Sequence, residues 1–146
     1  MKESYFESVV MIERLHRLFL EVVRGELDKM GIRDINNVQA LILYNIGHNQ
    51  LTVGELTNRG YYLGSNVSYN LRKMVQNKYV EQLPSPHDRR SSHVKLSTKG
   101  IELYNKIDGI LTGHTISLSQ SLNAEQFLNF CDALRKLEAF WTSFLK

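Results

Sequence analysis

The 146-residue chain reads as a mainly helical protein with one small β-hairpin. Three observations predict this. Apolar residues recur at helical spacing over most of the length. One stretch, Tyr79 to Ser97, breaks that rhythm with two short extended runs separated by a segment holding Pro84 and Pro86. Charge is unevenly spread: between Arg59 and Lys99 there are eight basic and two acidic residues, a local +6 in a chain of net +3. The remainder is therefore mildly acidic, and the basic stretch has the composition of a polyanion-binding face. A solvated lysine-rich surface would have the same composition.

The elements follow in order. Tyr5 to Met30 is one long helix, with Phe6, Val9, Val10, Leu15, Phe19, Val22, Val23 and Leu27 at helical spacing and Gly31 as its stop. Those apolar positions wrap more than one face, so the helix needs two partners. Asp34 or Asn36 caps a second helix through Val38, Leu41, Ile42 and Tyr44, ended by Gly47. Leu51 to Val53 is a short extended piece. Thr52 and Glu55 form a capping box for a third helix, Val53 to Arg59. After a turn at Gly60 to Gly64, Ser65 caps a fourth helix reaching Asn77. On it Val67, Leu71, Met74 and Val75 share one arc, while Ser65, Ser68, Tyr69, Arg72, Lys73 and Gln76 lie opposite.

Tyr79 to Leu83 is then a strand, Pro84 to Ser92 a turn, and His93 to Ser97 the returning strand. A fifth helix starts after Ser97 or Thr98 and carries Ile101, Leu103, Tyr104 and Ile107. The last begins at Asn123, with Gln126 as capping partner, and bears Phe127, Phe130, Leu134, Leu137, Phe140, Trp141 and Phe144.

Two short helices joined by a turn, the second with a polar and basic outer face, make a helix-turn-helix, and the hairpin behind them makes it a winged one. Ser65 to Lys78 contains no acidic residue, whereas an ordinary exposed helix mixes Glu with Lys. Ser65, Asn66, Ser68, Tyr69, Arg72 and Lys73 are accordingly the candidates for base and phosphate contact in a major groove.

Asp88-Arg89-Arg90-Ser91-Ser92, followed by Val94-Lys95-Leu96-Ser97-Thr98-Lys99-Gly100, resembles the wing signature of the MarR family of bacterial transcription regulators. Gly64 to Val75 resembles the family's recognition helix, with Asn66 and Tyr69 as departures from its usual residues. The order of elements agrees over nearly the whole chain. The resemblance implies one MarR-like domain over 1–146, a winged helix-turn-helix lobe over 34–97, and a helical dimerisation region over 4–31 and 98–146. It implies that Arg90 enters the minor groove and that Asp88 braces the wing; Arg89, with the nearby His87, Ser91 and Lys95, is placed for phosphate contacts or solvent. It further implies a homodimer whose terminal helices intertwine through Phe127, Phe130, Leu134, Trp141 and Phe144. Such a stripe, taken alone, is more often an intramolecular core. The family often binds small aromatic or phenolic effectors, for which His16, Phe19, Tyr44 and Tyr104 are the lining candidates by position, although any core would hold such residues.

The expected function is a ligand-responsive repressor acting on double-stranded DNA at a pseudopalindromic operator. The alternative is a helical dimer that works by protein–protein interaction and keeps a relict wing. An enzyme is not expected, because no base stands beside a nucleophile at any recognisable spacing. No cofactor or metal site is expected: the five histidines are scattered. Apolar runs are too short to span a bilayer, the N-terminus lacks a secretory pattern, and the single Cys131 forms no internal disulfide. Together these point to the cytoplasm.

Overall fold

The computed structural model describes residues 1–59, 64–84 and 92–145. Among these the chain forms six α-helices and three strands: α1 (Lys2–Lys29), α2 (Asn37–Ile46), β1 (Leu51–Thr52), α3 (Val53–Asn58), α4 (Gly64–Gln76), β2 (Val80–Pro84), β3 (Ser92–Leu96), α5 (Thr98–Leu118) and α6 (Ala124–Ser143). They fall into two compact units, Met1–Asn105 and Lys106–Lys146. The turns expected at Gly60 to Gly64 and at Pro84 to Ser92 lie largely outside the described residues.

Local chemistry explains the helix ends. Gly31 stops α1 as expected: it adopts φ +70°, its N–H bonds to Asp28 O, and the N–H of Ile32 reaches Leu27 O at 3.0 Å. That pair of bonds is a Schellman motif. Asn36, rather than Asp34, caps α2. Its side chain accepts from the N–H of Gln39 at 2.8 Å, and the Gln39 side chain accepts from the N–H of Asn36 at 3.1 Å. Gly47 ends α2 at φ +57°, a conformation that side chains rarely adopt. Thr52 caps α3, accepting from the N–H of Glu55 at 3.0 Å, while the Glu55 carboxylate accepts from the Thr52 hydroxyl at 3.1 Å, so the expected box is formed only on the Thr52 side. Asn123 and Gln126 form the expected reciprocal box at the start of α6, both bonds 2.9 Å. Ser65 sits inside α4, which begins at Gly64, and so is not its cap.

The extended piece at Leu51 is not isolated. It pairs with β3, Leu51 opposite Val94 and Thr52 opposite His93, so the hairpin becomes a three-stranded antiparallel sheet in the order β1-β3-β2. The hairpin itself runs from Val80 opposite Leu96 to Pro84 opposite Ser92. Burial drives the extra pairing, because Leu51 and Val94 are both withdrawn from solvent.

The core of the first unit is built on α2, where Ala40, Leu41, Ile42, Leu43 and Ile46 are all buried. Leu56, Val67, Leu71, Met74, Val80, Val94 and Leu96 join them in the buried set. On α1 only Val23 and Leu27 are buried, while Phe6, Val9, Leu15, Leu18, Phe19 and Val22 are exposed. In the second unit α6 buries none of its residues. These bare apolar faces are the structural counterpart of the two-sided pattern on the first helix.

Candidate nucleic-acid interface

The two arcs expected on α4 are present, except that Val75 is only half-buried. Val67, Leu71 and Met74 are buried, and Asn66, Ser68, Tyr69, Arg72, Lys73 and Gln76 are exposed. Tyr69 is 56% exposed, and the Lys73 ammonium stands 5.9 Å from its ring centre, one turn further along the same face. The side chain of Ser65 lies outside what the structure describes. A cavity of about 290 Å³ opens between α4 and the sheet, walled by Val53, Ser68, Leu71, Arg72, Val75, Gln82 and Val94. Ser68 and Arg72 thus link the outer arc of α4 to the base of the wing.

Of the wing candidates, Asp88, Arg89 and Arg90 lie outside the described residues. Lys95 is exposed on β3 and faces Glu81 across the hairpin at 3.7 Å. Both partners are about half exposed, so the pair leaves the lysine available to a phosphate at little cost.

The root of the wing is tied to α4 and α5 by a cluster of polar bonds. Helix α4 ends in a second Schellman motif, with Lys78 at φ +67°, its N–H bonded to Val75 O and that of Tyr79 to Met74 O. Ser97 caps α5 by accepting from the N–H of Gly100 at 3.1 Å, and its hydroxyl donates to Lys78 O at 2.6 Å. Lys99 donates to Asp34 Oδ2 at 2.7 Å and to Asn77 O at 2.9 Å, and lies 4.2 Å from the centre of the Tyr79 ring. The Tyr79 hydroxyl donates to Asp34 Oδ1 at 2.5 Å.

These contacts set two titrations. Burial opposes charge on Asp34, yet the hydrogen bonds from Lys99 and Tyr79, with the Lys99 charge, hold its carboxyl below the ordinary carboxylate value. Burial, then the Asp34 carboxylate that accepts its proton, pushes the Tyr79 hydroxyl well above the ordinary tyrosine range. Sequence reading named Asp34 only as a cap and missed this cluster. Its parts lie far apart along the chain, and only Ser97, Lys99 and Gly100 belong to a recognisable motif.

Among the effector candidates, Tyr44 and Tyr104 stack at 4.9 Å between ring centres, and His48, not singled out from the sequence, meets Tyr104 edge-on at 5.0 Å. His16 and Phe19 are exposed on α1. Among the dimerisation candidates Phe127, Phe130 and Phe144 are exposed, and Leu134 and Trp141 are half-buried. A second cavity, about 610 Å³, runs along the α5–α6 turn between Thr115, Ser119, Leu122, Phe127, Leu128, Cys131 and Arg135. Among the described residues no group of three His, Cys, Asp or Glu could hold a metal ion, and no helix is long and apolar enough to cross a membrane.

A helix with one buried and one basic, acid-free face, backed by a three-stranded wing, defines a winged helix-turn-helix transcription regulator. Comparison with known proteins agrees. Residues 33–91 match the MarR family. The chain is 37% identical over 139 residues to the exopolysaccharide II synthesis transcriptional activator ExpG of Rhizobium meliloti, covering 94% of this chain and 72% of that protein. The chain therefore belongs to the MarR family of DNA-binding transcription regulators, which are not enzymes. Its fold is shared with Streptococcus pneumoniae FabT in complex with DNA (TM-score 0.75, 17% identity, covering 96% and 99% of the two chains). It is shared too with a mutant form of MarR from E. coli complexed with operator DNA (TM-score 0.73, 21% identity, covering 92% and 95%).

Proposed function

We propose that the protein is a cytoplasmic homodimer that binds a pseudopalindromic operator through two copies of the 34–97 lobe. The observation that carries this reading is the outer arc of α4, exposed from Asn66 to Gln76 and free of acidic residues. Ser65, Asn66, Ser68 and Tyr69 face base edges in the major groove, while Arg72 and Lys73 take phosphates. In the wing, Arg90 reads the minor groove, Asp88 orients it, and Arg89 and Lys95 bind backbone. The regions 4–31 and 98–146 form the dimer, for which the bare faces of α1 and α6 supply apolar surface.

Bound across a promoter, such a dimer represses by excluding polymerase. Activation is the second reading, favoured by the activator role of the Rhizobium relative, and needs the same contacts at an upstream site. The stacked Tyr44 and Tyr104 with His48 offer an aromatic surface for a small aromatic or phenolic effector. The test is selection from a pool of random duplexes by the full chain. Enrichment of an inverted repeat with half-sites about one helical turn apart is expected. Failure to enrich any sequence at low salt would instead return the protein–protein alternative. Placing the enriched site within or upstream of a reporter promoter separates repression from activation.

A further inference from the structure

Helix α4 is gripped at two points by the segment that starts α2, and neither grip is apolar. At the first, Gln39, which is 7% exposed, uses its oxygen for the α2 cap. Its Nε2 is then left to donate to Asn70 Oδ1 at 3.2 Å, and Asn70 Nδ2 donates in turn to Asn66 O at 2.8 Å. The bonds run in one direction, from the Asn36 N–H through Gln39 and Asn70 to the first turn of α4, so each amide has a single satisfied orientation. At the second point Asn77 Nδ2 donates to Asp34 O at 2.8 Å. Asn70 and Asn77 are seven residues apart, about two turns, and so lie on one stripe of the helix.

That stripe flanks the buried row Val67, Leu71 and Met74. Apolar contacts are non-directional, so this row alone would accept α4 rolled or shifted slightly on its bed. Hydrogen bonds fix direction, and a satisfied polar pair at a buried seam selects one packing among several. Paired contacts to base edges demand such fixed geometry, whereas phosphate contacts by long basic side chains do not.

We infer that Gln39 and Asn70 are positioning residues for DNA sequence reading: their amide pair sets the roll and register of α4, and with it the preference for one operator over other duplexes. The inference rests on the reading of α4 as the DNA-contacting helix. Neither residue lies on its outer arc, and neither touches DNA in this mechanism.

The test uses the full-length protein and two probes, a duplex enriched by the wild-type chain from a random pool and a random-sequence duplex of equal length. Gln39→Met and Asn70→Ala each lower the ratio of the two affinities roughly tenfold. Affinity for the random duplex stays within about twofold, because the phosphate contacts remain. The double variant is no worse than the poorer single one, as expected of residues acting as a pair. If Gln39→Met fails to fold, Asn70→Ala, which leaves the α2 cap intact, carries the measurement alone. A ratio retained in Asn70→Ala, or two effects that multiply in the double variant, overturns the inference. Arg72→Ala is the control: it weakens both probes. Should it weaken neither, the reading of α4 has failed and the inference falls with it.

Discussion

A Cβ placed on Gly100 would overlap the backbone carbonyl oxygen of Tyr79, the same oxygen that accepts the N–H of Ser97 at 3.0 Å. The first turn of α5 thus lies directly on the chain that joins α4 to the wing, and only a residue without a side chain permits that approach. Gly100→Ala should cost about 1 to 3 kcal/mol as α5 is pushed from the wing root. Urea unfolding with an unchanged slope checks it, and a variant as stable as the parent would show that the two segments separate easily.

The Asp34 cluster makes a prediction with a definite sign. A carboxyl whose folded pKa is depressed stabilises the fold above its unfolded value, near pH 4, and that contribution is lost as pH falls through the folded value. Tyr79 is raised, so its contribution is complete below about pH 10 and declines as pH climbs further, where the unfolded chain ionises and the folded one does not. Asp34→Asn should flatten the acid limb of a stability–pH curve below pH 4, and Tyr79→Phe the alkaline limb above pH 10. Asp34 is partly exposed, so the acid effect is small and best read at low salt. Limbs unaltered by either substitution would remove the cluster from the account.

On the outer face of α4 the residues should divide by kind. Arg72→Ala is expected to weaken all duplexes alike and reduce the salt slope by about one per half-site. Tyr69→Ala should alter which bases are preferred. A uniform loss for Tyr69→Ala, with the preference profile retained, would reassign it to the backbone.

Removal of Asn123 to Lys146 takes away α6 with its exposed Phe127, Phe130 and Phe140, and the exposed Phe144 that follows it. The truncated chain should sediment as a monomer or an aggregate, and its operator affinity should fall far below that of the full chain, since two lobes no longer share one effective concentration. A soluble truncated monomer with full affinity would refute dimer-dependent binding.

Much of this was legible from local chemistry. Gly31 as a stop, the Thr52 and Asn123 caps, and the two arcs of α4 depend on residues within a turn of each other, where spacing is information. The β1 pairing was not legible, because two residues carry no period and Leu51 finds Val94 across more than forty positions. The Gln39–Asn70 bond escaped for a similar reason: an amide on an apolar helix declares itself polar but does not name its partner. The left-handed Lys78 was hidden because glycine usually marks that conformation. Asp88, Arg89 and Arg90 rest on motif alone.

Within the sheet, β3 is the middle strand, and among the described residues β2 pairs only with it, so one flank of β2 is an open row of backbone groups. Such a flank invites a strand from another molecule. Here the described strand is five residues long, has Pro84, which has no N–H to offer, as its last residue, and bears the charged Glu81 as its second. Shortness, a terminal proline and a charge each weigh against strand addition along that flank.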